Sequence, residues 1–195
     1  MMKQAFGDFV EEGDTLEYLV LSFSSKALPI QDRWRNNSLS AEFLADYWGS
    51  FFLTQDTSAP DFHAEIKDAV NYITNELLEN AIKYNYEPAD TPIKIGIYLF
   101  DDLLRFYLTN SANPLSMGPF QQYIQVLFTE DLDELYIRQI EQNAGGADGI
   151  ESHLGFLTML NDYQARLAWK FETIQQEPEI ILVTTMVELD IIRPT

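Results

Sequence analysis

The chain has 195 residues, of which 46% are hydrophobic and 13% aromatic, so it can bury a core and global disorder is not expected. Its 31 acidic residues outnumber 12 basic ones, and the resulting net charge of −19 disfavours nucleic acid and anionic membranes as partners. The chain has no cysteine, no apolar run near the roughly 18 residues of a membrane span, and no signal-peptide pattern at its start, so a cytoplasmic location is the simplest expectation.

The first part of the sequence predicts a lead segment, a strand and two helices. Residues 1–14 are expected to form a loose acidic lead, and Thr15–Lys26, rich in β-forming residues, predicts a strand. Aromatic residues recur every four positions in Ser38–Leu53, which predicts a helix. A longer helix is predicted over about Asp61–Tyr84, because apolar residues keep a helical period through Phe62, Ile66, Val70, Ile73, Leu77 and Ala81.

The second part predicts two hairpins separated by helices. The first hairpin is predicted over Ile93–Asn110 and the second over 165–189. Between them the sequence predicts a mainly helical segment over Phe120–Asn143, broken near "TEDLDE", a flexible glycine-rich stretch over Ala144–Gly149 and a short helix over Glu151–Gln164. This order, with strands mostly in antiparallel pairs, favours an α+β two-layer sandwich with helices on one face of one sheet. We expect one domain over residues 1–195, with 1–55 as an N-terminal extension and 60–190 as the core.

A polar stripe interrupts the predicted long helix. Glu76, Asn80 and Lys83 have the spacing i, i+4 and i+7, so they share one face of the helix, beside the apolar stripe that would face the sheet. Carboxylate and amide oxygens suit Mg²⁺, and a lysine suits phosphate. The same spacing is also found on ordinary solvated helix faces, so the stripe alone leaves both interpretations open.

The run Asn75–Tyr84, "NELLENAIKY", resembles the N-box of the GHKL ATPase superfamily, which includes DNA gyrase and the histidine kinases. The order of predicted elements is similar to that superfamily over about residues 60–190, which implies a sandwich of GHKL type with a mixed, mostly antiparallel sheet of about four or five strands. The resemblance implies that Glu76 activates the attacking hydroxyl or water and that Asn80 holds Mg²⁺. It also implies that Lys83 and Tyr84 flank the phosphates of ATP.

Two glycine-containing boxes of the family are altered here. The family has an Asp-x-Gly-x-Gly box after the hairpin, and its aspartate binds the adenine amine. Here "YLTNSANPLS" stands in that place, with Asn110 nearest to the aspartate and no glycine before Gly118. The second box, "GIESHLGFLTML", retains Gly149, Leu154 and Gly155 of the pattern that cradles phosphates. The resemblance further predicts a mobile lid containing Gly145, Gly146 and Gly149.

The whole pattern is most similar to the anti-sigma-factor serine kinases and to the SiaB-like regulatory kinases, which act on STAS-domain proteins. This resemblance implies ATP and Mg²⁺ as cofactors and phosphoryl transfer to a serine or threonine of a small partner protein in bacterial signalling. A homodimer is a further expectation, because the branch often dimerises. A degenerate module that binds a partner without nucleotide turnover is the alternative, which the missing glycine box favours and the intact Glu76 and Asn80 oppose. An acidic adaptor without a nucleotide site is a third hypothesis.

Overall fold

The computed structural model describes residues 2–15, 17–24, 30–52, 60–144 and 154–191. In these ranges the chain forms six strands, β1 Lys3–Phe6, β2 Glu17–Phe23, β3 Ile93–Leu99, β4 Leu103–Ala112, β5 Arg166–Gln176 and β6 Glu179–Asp190. It also forms five α-helices, α1 Ile30–Gly49, α2 Pro60–Tyr84, α3 Met117–Thr129, α4 Leu132–Ala144 and α5 Leu154–Asn161. None of the helices in these ranges is both long enough and apolar enough to cross a bilayer.

The six strands form one sheet in the order β1-β5-β6-β4-β3-β2. Every strand pair in it is antiparallel. The prediction of mostly antiparallel pairing is therefore confirmed, whereas the prediction of a mixed sheet with four or five strands is wrong, because the described residues form six strands with no parallel pair. The two predicted hairpins, β3–β4 and β5–β6, are confirmed, and they build an antiparallel centre because short turns reverse the chain. The two N-terminal strands then add at opposite edges.

The helices pack against one face of this sheet, which is consistent with the predicted α+β two-layer architecture. On β4, Leu104, Phe106 and Leu108 point into a core shared with the helices, whereas Tyr107 belongs to a separate small cluster. This alternation follows from the two-residue period of a strand. In α2, which crosses β3 and β4, the predicted apolar stripe of Ile73, Leu77 and Ala81 is buried in the same core.

The opposite face of the sheet is covered by residues 7–14, which we call the strap. Tyr107 on β4 donates its hydroxyl to the Val10 carbonyl oxygen at 2.8 Å, and Tyr98 on β3 donates to Glu12 at 2.5 Å. The ammonium of Lys170 on β5 lies 2.6 Å from the Glu11 carboxylate. The prediction of a loose lead over residues 1–14 is therefore wrong, because its start is strand β1 and its remainder crosses the sheet.

Several helix limits also differ from their predictions. The first helix begins at Ile30 rather than Ser38, eight residues before the predicted start, and it ends at Gly49 before a short 3₁₀ turn. The predicted break near "TEDLDE" is confirmed between α3 and α4, where the Asp131 carboxylate accepts from the backbone N–H groups of Asp133 and Glu134 and so caps α4.

Candidate nucleotide site

A cavity of about 680 Å³ lies between α2, the end of β4, the middle of β6, α3 and the start of α5. Its size is within the range of about 300–1,000 Å³ that is usual for small-molecule and cofactor sites. The end of α2 is tied to the end of β4, because the Ser111 hydroxyl donates to Asn85 Oδ1 at 2.9 Å. Asn85 also forms an isolated bridge with Ala112. These contacts hold two walls of the cavity together.

The predicted residues of the long helix lie on one of these walls. Asn80, Lys83 and Tyr84 all line the cavity. Asn80 is half-buried and Lys83 is exposed, as expected for neighbouring positions at the margin of a helix face. The Lys83 ammonium lies 4.9 Å from the centroid of the Tyr84 ring, which is a cation–π distance. The α2 helix therefore brings an amide, a cation and an aromatic ring to one opening.

Asn110 lies on the sheet side of the same cavity. It is 7% exposed, near the end of β4, and lines the cavity together with Thr185 of β6. Its Nδ2 donates to the Ser111 carbonyl oxygen at 2.8 Å. That bond fixes the orientation of the amide, so Oδ1, an acceptor, is the atom that Asn110 can present to a bound molecule.

The third wall carries aromatic rings that the sequence analysis did not identify as site residues. Phe120 and Tyr123 of α3 line the cavity opposite α2. Burial, and then the nearby Tyr84 phenol, raises the pKa of Tyr123, so its hydroxyl stays protonated at neutral pH. No motif marked these residues. The only signal was the prediction of a helix that included them, because aromatic residues on an amphipathic helix are indistinguishable from core residues.

Glu76 lies elsewhere, against the first turn of α5. It is not among the residues that line the cavity, and its carboxylate is so close to Gly155 that an added Cβ there would lie 2.1 Å from Oε2. Burial, followed by the charge of Glu79, raises the pKa of Glu76. Leu154, the first residue of α5, is half-buried and does not line the cavity, whereas Phe156 does. The structure thus brings Glu76 and Gly155 together, and neither residue lines the cavity.

The described lining of the cavity carries amide and hydroxyl groups and one lysine, but no carboxylate. In the described ranges, no group of three His, Asp or Glu side chains could hold a metal. A Mg²⁺ ion would therefore depend on nucleotide phosphates and water for most of its ligands, which is the usual arrangement for this ion. The Asn80 amide oxygen is one of several side-chain oxygen atoms that the cavity lining offers as ligands. Gly145, Gly146 and Gly149, the predicted lid glycines, lie outside the described residues.

Comparisons with known proteins give no independent assignment. No protein-family model matches the chain. A search of curated proteins also finds no match. The resemblance to the GHKL superfamily therefore rests on the N-box residues and on the order of the elements.

Proposed function

We propose that this protein is a GHKL-type regulatory protein that binds ATP and Mg²⁺ in the cavity and phosphorylates a serine or threonine of a STAS-domain partner. One observation supports the proposal above all others. Asn80, Lys83 and Tyr84 of α2 and Asn110 of β4, selected from sequence, line the same cavity of about 680 Å³. These residues come from two elements that are separated in the chain, so helical periodicity alone does not explain why they meet.

The inner part of the cavity would hold the base. Phe120 and Tyr123 offer apolar ring surface to a flat heterocycle. Asn110 Oδ1 would accept a hydrogen bond from the adenine amine, and the Thr185 hydroxyl can donate or accept beside it. An amide in place of a carboxylate gives a weaker, uncharged acceptor, so aromatic contacts would carry a larger share of the binding free energy.

The outer part would hold the phosphates. Bound ATP with Mg²⁺ would supply the phosphoryl group and the metal charge. Lys83 would attract the phosphates as a point charge, which a chain of net charge −19 needs locally. Asn80 would ligate the metal through its amide oxygen. Glu76, whose pKa burial raises, would accept the proton of the attacking hydroxyl and so make the oxygen a better nucleophile.

Calorimetry of the purified protein with ATP and Mg²⁺ tests the proposal. We expect saturable binding in the wild type and its loss in Asn80→Ala. Asn71→Ala is the matched control, because Asn71 lies on the same helix, its Oδ1 accepts from Asn75 at 3.1 Å, and it does not line the cavity. The absence of both heat and thermal stabilisation at millimolar ATP would contradict nucleotide binding and favour the acidic adaptor.

A binding module without turnover is the second candidate, and one observation favours it. The Glu76 carboxylate lies against α5 and outside the lining of the cavity, in a chain that also lacks the first glycine box. Transfer of labelled γ-phosphate to a STAS-domain protein distinguishes the two candidates. A kinase transfers label in the wild type and loses transfer in Glu76→Gln while it still binds ATP. A module transfers none in either protein.

A further inference from the structure

A glycine at the start of α5 lies against a side chain of α2. Gly155 is the second residue of α5 and is buried. A Cβ built on it would lie 2.1 Å from Glu76 Oε2, 3.0 Å from Cδ and 3.4 Å from Cγ. All three atoms belong to the outer half of one side chain. A side chain at position 155 would therefore meet the Glu76 carboxylate first.

A second glycine provides the contrast. Gly118 is also the second residue of its helix, α3, and a Cβ added there would meet no atom within 4 Å. Helix propensity disfavours glycine at both positions to a similar degree. The two sites thus differ in their surroundings and not in their place in a helix, and only Gly155 has a steric reason to lack a side chain.

We propose that Gly155 is a positioning residue that determines where the Glu76 carboxylate lies. The expected effect on catalysis rests on the proposed kinase function, whereas the contact between Gly155 and Glu76 is independent of nucleotide. Phe156, the next residue of α5, lines the cavity. The first turn of α5 therefore contacts Glu76 through Gly155 and lines the cavity through Phe156. A shift of α5 on nucleotide binding would also move the surface against which Glu76 packs.

A side chain at position 155 should displace the Glu76 carboxylate without unfolding the protein. The atoms in conflict are the far end of a flexible glutamate, which can rotate to another rotamer. In Gly155→Ala the carboxylate is expected to leave α5, whereas Gly118→Ala leaves it in place. The resemblance to the family gives Gly155 a different role, close approach to phosphates, and that role predicts a loss of ATP affinity that is independent of Glu76.

The first test uses the full chain without nucleotide. In the wild type and in Gly118→Ala, NMR should detect a nuclear Overhauser contact between Gly155 Hα and Glu76 Hγ. In Gly155→Ala the corresponding contact should be lost, and the carboxyl ¹³C titration of Glu76 should shift toward that of an ordinary glutamate as the group becomes hydrated. An unchanged contact and titration in Gly155→Ala would overturn the proposal, whatever the outcome of ATP binding.

The second test uses Mg-ATP and a STAS-domain protein as probes and transfer of the γ-phosphate as the readout. We expect Gly155→Ala to lower kcat about tenfold or more, a loss typical of displaced acid–base groups, with a much smaller change in KM. In a Glu76→Ala background, where transfer is lost, calorimetry with Mg-ATP is the readout, and Gly155→Ala should leave the affinity unchanged, because the residue through which it acts is absent. An equal loss of Mg-ATP affinity in both backgrounds would overturn the proposal and assign Gly155 to phosphate binding.

Discussion

The two faces of the sheet bury similar side chains under different covers. Phe106 and Tyr107 are neighbours on β4, are 0% and 2% exposed, and point to opposite faces. Phe106 lies under the helices in the large core cluster. Tyr107 lies under the strap, in a cluster whose buried members are four residues, Tyr98, Tyr107, Ala168 and Met186. The burial of Phe106 therefore depends on the whole fold, whereas the burial of Tyr107 depends on the strap.

This difference separates global from local stability. The helical face is packed by elements that are far apart in the chain, so it can open only when much of the fold opens. The strap is held by a few side-chain contacts. One of them is an ion pair of 3.7 Å between Glu12 and Lys94, whose side chains are each about two-fifths exposed. Segments with few buried contacts open at low free energy. The candidate site lies on the face that stays closed.

Removing a large side chain from the helical face should have the largest effect. Phe106→Ala is expected to lower the free energy of unfolding by about 3–5 kcal/mol, because it leaves a cavity in the shared core. The loss should appear in urea denaturation, and hydrogen exchange should accelerate across the whole fold rather than in one segment. If Phe106→Ala changed stability by less than about 1 kcal/mol, the helical face would be no more cooperative than the strap.

A substitution at the start of the strap should have a smaller and more local effect. Gly7 has φ +71°, and an added Cβ would lie 2.8 Å from the Leu167 carbonyl oxygen. Gly7→Ala should therefore cost about 1–3 kcal/mol of backbone strain and contact. Hydrogen exchange should accelerate in residues 8–12 more than in β4. Gly13→Ala is the control, because its Cβ would meet only the Glu11 carbonyl oxygen, at 3.9 Å. Equal acceleration in both variants would show that Gly7 has no special role.

The sequence predicted one face better than the other, and the reason is physical. The period of α2 and the alternation in β3 to β6 are local patterns, so the two hairpins and the buried stripe could be predicted. Strand β1 has four residues with little apolar pattern. Its pairing with β5, at the far end of the chain, is a tertiary contact that local propensity does not encode. The strap was missed for the same reason.

The candidate site likewise contains residues that could be predicted from the sequence and residues that could not. Asn80, Lys83 and Tyr84 could be selected because they belong to a short motif on one helix. Tyr123 could not, because it meets them only through the packing of α3. The contact between Glu76 and Gly155 also joins two helices that are distant in sequence, and neither residue type nor spacing predicts it.

Removal of one hydroxyl from the outer face should have a still smaller effect. Tyr107→Phe keeps the ring and its edge contact with Phe9 but loses the bond to the Val10 carbonyl oxygen. We expect a loss of about 1 kcal/mol, the usual net contribution of a neutral hydrogen bond. Exchange at Val10 and its neighbours should accelerate more than the global loss requires. An unchanged strap in Tyr107→Phe would mean that apolar contact alone holds it.

The smallest effect is expected at the exposed edge of the same face. The Arg166 guanidinium is 2.5 Å from the Asp190 carboxylate, and hydrogen bonding to it holds the pKa of Asp190 below its usual value of 3.8. A depressed pKa stabilises the folded state above the ordinary aspartate value, and that contribution is lost as pH falls through the folded value. Because both side chains are about half exposed, Asp190→Asn should cost about 0.2–1 kcal/mol at neutral pH and less in high salt. Thermal unfolding of both proteins between neutral and acid pH should show the difference shrink as pH falls. A difference that grew on acidification would contradict this assignment, since an ion pair that loses its negative charge cannot stabilise more.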